Sequence, residues 1–485
     1  MTVGLLLGTF LAALELNVVG TAMPTLVAQL GGLELYGLVF SAYLLTSTVT
    51  IPLYGRLADL HGRRPVYLVA IALFLLGSGL CGAAWSMVPL IAFRALQGLG
   101  AGGLIPITIT LFGDLFPAER RALVQGLFST VWGVSSVLGP LIGGFLVTYV
   151  SWRWVFWFNI PAGLLAALLV AIALHERPAH DGPGGLDLAG TLLLIGGLVC
   201  LLVGLQGIES RAPWSYPALG GALLLGLGFA WHERRSERPV LPLSLFRQQA
   251  MLVTGVGGLA VGGLLFSLVT FIPLFVQGVL HGSPTRAGLA LVPLSLVWTT
   301  ATFATGPLSR RVGYRPVVVL GGLLAAVGAA TLLAVPREGS PLVRHLAMVS
   351  IGAAMGLIIT ASTIAVQDTM PWHRRGVATA LIQFTRTVGG MVAVTLLGAL
   401  VTARFADGMG RHLPPGATPS ELLDPGRWER FDRATLDRAR GALAGAIHGA
   451  FLVLAGLGGA ILLVHLAFPP LRVENRPDGD TQSQR

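Results

Sequence analysis

The chain has 485 residues, of which 54% are hydrophobic and 11% are charged, and its mean hydropathy is +0.76. A soluble domain carries roughly 25% charged residues, so this composition excludes a soluble enzyme or binding domain and indicates an integral membrane protein. The formal net charge of +10 does not indicate nucleic-acid binding, because the arginines recur in turns between apolar segments rather than in one tract.

The apolar segments predict the helices in chain order, since about twenty apolar residues cross a bilayer as a helix. Six spans are predicted near 3–29, 36–58, 65–84, 88–112, 121–149 and 152–174. Two more are predicted near 187–208 and 217–231. The last six are predicted near 249–278, 284–308, 316–335, 343–366, 376–402 and 442–468. We therefore expect an all-α polytopic membrane protein with 14 transmembrane helices.

These spans divide the chain into regions. We expect an N-terminal six-helix bundle in 1–175, two extra helices in 176–247, a second six-helix bundle in 248–468 and a cytoplasmic tail in 469–485. The mixed charges of a long outer loop, 403–441, predict either an amphipathic surface helix or a solvated loop. The first apolar segment lacks a basic flank and continues past Glu15 into Pro24, so we predict a transmembrane helix rather than a cleaved signal peptide.

The two bundles are predicted to be repeats. The segment from Gly55 to Pro65 returns as the segment from Gly306 to Pro316, with glycines 7 apart and the proline 10 after the first glycine. Five further residues recur at a displacement of 254, namely Gly98, Asp114, Pro117, Arg120 and Arg121 with Gly352, Asp368, Pro371, Arg374 and Arg375. Bundles in a pseudo-twofold relation are one way to build a central site that faces either side of a membrane, so the repeat predicts a transporter.

The arginines predict the orientation. They concentrate in the turns on the same side as the 55–65 segment, and few lie in the short turns on the other side. By the positive-inside rule, both termini are expected in the cytoplasm of a multi-pass protein of the cell membrane.

Glu15 lies near the middle of the first span. A charged carboxyl there costs about 2.5 to 3.5 kcal/mol on insertion scales, so it should face a cavity and exchange protons. The alternative is a neutral Glu15 that bonds a neighbouring helix through Asn17 or Gln97.

Arg94 and Arg386 are intramembrane cations in the fourth and thirteenth spans. Arg94 is predicted to pair with Glu15 in proton coupling, or alternatively to satisfy carbonyl groups and hold helices together. Arg386 is predicted either to attract anionic groups or to bind Gln367, Asp368 or Gln383.

Aromatic and polar residues predict a central cavity, in which a cation can rest on ring faces, although such residues more often face lipid. The predicted cavity residues are Glu15, Asn17, Gln97, Tyr43, Trp132, Phe271, Gln277, Trp298 and Arg386. No spacing of His, Cys, Asp and Glu predicts a metal site, and we expect no cofactor.

Two glycine-rich segments indicate conformational change. In the first, Asp59 can accept from helix N-termini or arginines, and Arg63 and Arg64 can bind helix ends of the other bundle. We name Gly55, Asp59, Gly62, Arg63, Arg64 and Asp114 the latch. The fifth span carries Gly133, Gly139, Pro140, Gly143 and Gly144. These residues allow close helix contact and a kink.

These motifs together resemble the major facilitator superfamily, and within it the 14-span drug:proton antiporters. The segment Gly55–Pro65 resembles its loop signature, and Arg94–Gly98 with Gly100 resembles its fourth-span signature. Gly139-Pro140 with Gly143-Gly144 is similar to the antiporter signature, and Leu14–Pro24 to the first-span signature.

The resemblance implies proton-driven efflux of amphipathic, cationic or neutral drugs by a monomer in membrane lipid. It implies that Glu15 is the first-span acid, Arg94 the arginine of proton coupling and Asp59 the loop aspartate that governs interconversion. Two features depart from the family: Arg310 stands at the second copy of the Asp59 position, and many relatives carry Asp at Glu15. The alternatives are an exporter of an endogenous lipid, siderophore or metabolite and, more distantly, a polytopic membrane enzyme or receptor.

Overall fold

The structure is a computed structural model. It describes residues 1–30, 36–116, 118–174, 187–209, 212–237, 239–280, 286, 289–335, 341–371, 374–409 and 432–471. Asn17, Pro140 and Gln277 lie on described helices, but their side chains are outside the described part.

The described residues form helices that match all fourteen predicted spans. The first bundle holds α1 (Thr2–Leu30), α2 (Tyr36–His61), α3 (Arg63–Gly82), α4 (Met87–Leu115), α5 (Ala118–Tyr149), α6 (Trp154–Trp157) and α7 (Asn159–Ala173), the last two forming one span. The extra pair is α8 (Leu188–Glu209) and α9 (Ser215–Glu233). The second bundle holds α10 (Gln249–Gly278), α11 (Val292–Val312), α12 (Tyr314–Thr331), α13 (Leu342–Thr369), α14 (Arg375–Met409) and α15 (Arg433–Leu466). The all-α prediction is confirmed.

The structure locates helix ends next to two predicted boundaries. In the span predicted near 284–308, α11 begins at Val292, with Pro293 in its first turn, where a missing N–H costs nothing. Residues 281–285, 287 and 288 lie outside the described part. The outer loop predicted at 403–441 is shorter, because α14 continues to Met409 and α15 already begins at Arg433. Asp432 caps α15 by accepting the Thr435 N–H, which fixes that helix start.

The repeat is visible in the backbone at the turns after α2 and α11. Gly62 and Gly313 have φ angles of 88° and 85°, a left-handed conformation that favours glycine. Pro65 and Pro316 follow in the first turn of α3 and α12, where helix N–H groups have no partner. We call the side of the molecule that carries these two turns the loop face.

The bundles contact each other through two helix pairs, α2 with α14 and α5 with α11. Gly55 permits the first, because a Cβ at this position would lie 2.5 Å from the Ala380 Cβ. In the second, the Ser129 and Thr302 hydroxyls are 3.4 Å apart. These contacts run from the loop face towards the middle of the molecule, so the bundles are closed against each other on that face.

The extra helices are tied to the second bundle by a polar connection. The His232 imidazole lies 2.8 Å from the Asp187 carboxylate, which joins the start of α8 to the end of α9. The buried Glu233 carboxylate accepts the N–H groups of Val240 and Leu241 at 3.1 and 3.3 Å. This connection fixes the segment that leads into α10.

Candidate functional site

Glu15 lies on α1 inside the first bundle and is 1% exposed. Its Oε1 atom accepts from Arg94 Nη1 at 2.6 Å, and its Oε2 atom accepts from Asn159 Nδ2 at 2.5 Å. The two donors come from α4 and α7, so the carboxylate joins three helices of the bundle. Both ions of the Glu15–Arg94 pair have no exposed side-chain surface.

Arg94 makes further contacts around this ion pair. Its Nη1 atom also donates to Gln97 Oε1 at 2.7 Å, and its Nε atom donates to the Val39 carbonyl at 3.3 Å. The guanidinium lies 4.3 Å from the centre of the Tyr43 ring, within cation–π distance. The positive charge is therefore held by an acid, an amide, a carbonyl and an aromatic face.

Ser78 on α3 completes the network. Its Oγ atom accepts from Gln97 Nε2 at 3.1 Å and from Asn159 Nδ2 at 3.0 Å, and its hydroxyl donates to the Phe156 carbonyl at 2.9 Å. One buried donor of the network, Arg94 Nη2, has no hydrogen-bond partner in the described part of the chain. The hydrogen bonds that the other members make hold one arrangement of the helices. A change of charge on Glu15 would therefore alter hydrogen bonds that connect α1, α3, α4 and α7.

Asn159 and Ser78 were not predicted. Each is a single small polar residue in an apolar span, which by itself is common in membrane helices. Asn159 is the first residue of α7, after the break that follows α6, and it is buried there. The sequence alone does not mark this placement.

The latch lies on the loop face. Arg63 is fully buried between two acids, with Nη2 3.0 Å from Asp59 Oδ1 and Nε 3.3 Å from Asp114 Oδ2. Arg64 donates to the Ala171 carbonyl in the same bundle. The acids contact the second bundle: Asp59 Oδ2 accepts the Val377 N–H at 2.9 Å, and Asp114 Oδ1 lies 3.7 Å from Arg375 Nη1.

Asp59 therefore accepts from the N-terminal turn of α14, where backbone N–H groups and the helix dipole favour an anion. The sequence predicts that Asp59 can accept from a helix N-terminus or an arginine. In the structure, Asp59 Oδ1 accepts from Arg63 and Asp59 Oδ2 accepts from the helix N-terminus. Contact with the other bundle was predicted for the arginines, whereas the described contacts are made by the two acids.

The predicted cavity residues fall into separate places. Tyr43 and Gln97 belong to the Glu15 network. Phe271 is 3% exposed and packs in the apolar core of the second bundle, and Trp298 packs partly buried against that core. Trp132 is partly exposed on α5, and Arg386 lies on α14.

The glycine-rich face of α5 meets the second bundle only in part. A Cβ at Gly133 would lie 3.7 Å from the Ser295 Cβ on α11, whereas nothing lies within 4 Å of one at Gly144. Gly139 and Gly143 are buried. Close approach between α5 and α11 therefore involves the half of α5 nearer the loop face.

One described cavity was not predicted. It has a volume of about 280 Å³ and lies at the end of the second bundle opposite the loop face, lined by Phe275, Leu333, Ala334, Val335, Ala444, His448 and Phe451. In the described part of the chain, no three His, Cys, Asp or Glu side chains are grouped to hold a metal ion.

Comparison with known families decides the class of the protein. The family model described as Major Facilitator Superfamily matches residues 5–394. The chain belongs to this superfamily. It is therefore a membrane transporter, a class that binds small-molecule substrates, and the family resemblance drawn from the motifs is confirmed.

Several characterised proteins are similar in sequence. Multidrug transporter protein MdtP of Bacillus subtilis is 36% identical over 416 residues, which are 85% of this chain and 77% of that protein. Multidrug resistance protein 3 of the same organism is 29% identical, over 93% of this chain and 91% of that protein. Efflux pump FUS6 of Gibberella fujikuroi is 31% identical, over 88% of this chain and 79% of that protein.

Two solved structures share the fold. The proton:xylose symporter XylE matches with a TM-score of 0.63 at 15% identity, over 97% of this chain and 95% of that one. The human organic anion transporter MFSD10 matches with a TM-score of 0.63 at 16% identity, over 94% and 98%. At these identities the matches establish the arrangement of helices alone.

Proposed function

We propose that the protein is a proton-coupled exporter of amphipathic, drug-like molecules that works by alternating access between its two bundles. Its relatives support export, since MdtP, multidrug resistance protein 3 and FUS6 are named for drug transport or efflux. The observation that carries proton coupling is the buried Glu15–Arg94 pair at 2.6 Å.

The chemistry of that pair supplies the coupling. While Glu15 is ionised, Arg94 balances its charge within a buried network. A proton that arrives on Glu15 cancels the carboxylate charge and leaves the Arg94 charge without its counter-ion. Breaking a buried ion pair in this way costs about 3 to 5 kcal/mol, which is sufficient to favour another arrangement of the helices that hold it.

The latch supplies the second part of the cycle. We assign the loop face to the cytoplasm, together with both termini, from the distribution of arginines. The conformation described here is then closed towards the cytoplasm, with Asp59 bonded to the Val377 N–H. Cargo entry from the cytoplasm requires that this bond and the contacts between α2 and α14 open.

The energetics are adequate. A proton moving down 100 mV releases about 2.3 kcal/mol, and each tenfold gradient of neutral cargo requires about 1.4 kcal/mol. One proton per neutral cargo molecule is therefore sufficient. The proton motive force is the only driving force proposed, with no cofactor, and we propose that a single chain in the cell membrane does this work.

The experiment is to replace Glu15 by Gln, which keeps the size and hydrogen-bonding capacity of the side chain and removes its proton exchange. In proteoliposomes with an imposed pH gradient, Glu15→Gln should lose uphill transport of a fluorescent amphipathic dye by at least about tenfold. Exchange of labelled for unlabelled dye without a gradient should continue.

The matched control is Asp437→Asn, which neutralises an exposed acid near the start of α15. This control should transport like the parent. Uphill transport at the parental rate in Glu15→Gln would disprove the proposed coupling.

A further inference from the structure

Arg386 is a second intramembrane arginine, and its surroundings differ from those of Arg94. It lies eleven residues after Arg375, the first residue of α14, which places it about 17 Å along the helix at a rise of 1.5 Å per residue. The residue is partly buried, and its Nε atom is fully buried. Part of the side chain is therefore accessible, at a depth within the membrane-spanning part of the molecule.

The polar contacts of Arg386 are few. Its Nη2 atom donates to Gln383 Oε1 at 2.6 Å, one helical turn away on the same helix. Its buried Nε atom has no hydrogen-bond partner in the described part of the chain. A guanidinium has five N–H donors and no acceptor, so one neutral amide leaves most of its capacity unused.

The second bundle offers no carboxylate at this depth. Between Gln249 and Leu466, its helices carry only three acids, which are Asp368, Asp407 and Asp437. Asp368 is the second-last residue of α13, Asp407 lies two residues before the end of α14, and Asp437 is in the first turns of α15. All three therefore lie near the ends of their helices, whereas Arg386 lies far from both ends of α14.

The first bundle does not supply the counter-charge either. Glu15 is the acid at mid-membrane depth there, and its two oxygens already accept from Arg94 and Asn159. The two arginines thus differ in charge balance: Arg94 is neutralised within the chain, while no described acid lies within ion-pair distance of Arg386. A cation in this position is costly without an anion or water beside it.

Glycines of α10 allow this helix to pack closely on α14 beside the arginine. A Cβ at Gly258 would lie 2.8 Å from the Thr385 Oγ1 and 3.4 Å from the Arg386 Cγ, and a Cβ at Gly262 would clash with the Arg386 backbone carbonyl. On the same side of α14, the Thr379 hydroxyl accepts from Gln367 Nε2 of α13 at 3.2 Å. This side of α14 therefore faces α10 and α13, inside the second bundle, rather than the outer surface.

We infer that Arg386 binds an anionic group of the cargo, so that the exported molecules are amphipaths that carry a carboxylate, sulfonate or phosphate. This inference rests on the proposed export function and narrows its substrate class. The planar guanidinium can bind such a group with two parallel hydrogen bonds, which a lysine cannot reproduce.

The experiment uses two dyes that differ only at one group: a rhodamine with a free carboxylate, and its methyl ester. Full-length protein in proteoliposomes is given a pH gradient, and the initial rate of uptake is measured against dye concentration. We expect Arg386→Gln to raise the half-saturating concentration of the acid about ten- to a hundredfold and to leave that of the ester unchanged. In Arg386→Lys, the half-saturating concentration of the acid should lie between those of the parent and of Arg386→Gln, because lysine keeps the charge but cannot form the two parallel hydrogen bonds.

The matched control is Arg310→Gln, which removes an exposed arginine on the loop face. This control should leave the half-saturating concentrations of both dyes unchanged. The assignment would be overturned if Arg386→Gln and Arg386→Lys reduced uptake of the two dyes equally. It would also be overturned if Arg386→Gln left the half-saturating concentration of the acid unchanged. Transport of both dyes that requires chloride and fails in gluconate would assign the site to an inorganic anion instead.

The parent protein separates this inference from the proposed function. Export of the ester alone, driven by the pH gradient, would overturn the anionic site and leave proton-coupled export intact. Absence of gradient-driven export of either dye would overturn the proposed function itself.

Discussion

The turn between α2 and α3 can be compared with the equivalent turn between α11 and α12. Their glycines have φ angles within a few degrees of each other, 88° and 85°, and both are followed by a proline in the next helix. Aligned on these glycines, Arg63 corresponds to Tyr314 and Asp59 to Arg310. The backbone has been kept while the side-chain chemistry has changed.

The two turns therefore differ in how their side chains are held: by ion pairs in the first turn and by a hydrogen bond from a neutral hydroxyl in the second. In the first turn, Arg63 is buried between Asp59 and Asp114, and both acids also contact the second bundle. In the second turn, the buried Tyr314 hydroxyl donates to Asp368 Oδ2 at 2.7 Å, within its own bundle. Arg310 is exposed. The same backbone turn thus carries an ionic contact between the bundles in one repeat and a hydrogen bond within one bundle in the other.

The largest effect is expected from Arg63→Gln. This change leaves Asp59 and Asp114 without the buried guanidinium between them, and removing one partner of a buried ion pair costs about 3 to 5 kcal/mol. We expect a lower midpoint of thermal unfolding in detergent and a smaller yield of folded protein. Arg310→Gln, at an exposed site, is the control and should unfold like the parent; equal losses in both variants would contradict the ionic role of Arg63.

A smaller effect is expected from Tyr314→Phe. The ring remains buried and only the hydroxyl that donates to Asp368 is lost. A hydrogen bond to a charged group contributes about 1.5 to 3 kcal/mol, and the remaining exposure of Asp368 to water should reduce the loss towards the lower figure. The loss of stability in Tyr314→Phe is measured by thermal unfolding in the same detergent. A loss as large as that of Arg63→Gln would show that the two turns are energetically alike.

The smallest effect on stability is expected from Asp59→Asn, because Arg63 keeps Asp114 as its counter-ion. This change should instead shift the conformational equilibrium. Loss of the charge weakens the contact with the N-terminal turn of α14 by about 0.3 to 1 kcal/mol, so the loop face should open more often. A cysteine at Ser129, which faces Thr302 between the bundles, should then react a few times faster with a water-soluble thiol reagent. Unchanged labelling, or equal acceleration by Arg310→Ala, would show that Asp59 does not hold this face closed.

Much of the architecture follows from the sequence, because a bilayer requires long apolar helices and the repeat marks equivalent turns. The pairing of Glu15 with Arg94 was also predictable, since two opposite charges in one bundle each need a partner. Asn159 and Ser78 could not be assigned, because their importance depends on which helices meet. Phe271 was placed in a cavity from its residue type, whereas only its packing partners show that it lies in the core.

The extra pair of helices has a consequence for movement between the bundles. α8 contacts α2 on one side and α14 on the other, and Leu194 and Leu198 lie in one apolar cluster with Leu381 and Phe384. In the proposed cycle α2 separates from α14, so α8 would move with one of them and slide along the other. Apolar contact is non-directional, and such sliding breaks no hydrogen bond. During the proposed cycle, this apolar contact beside α8 would keep that flank of the transporter closed to water and ions.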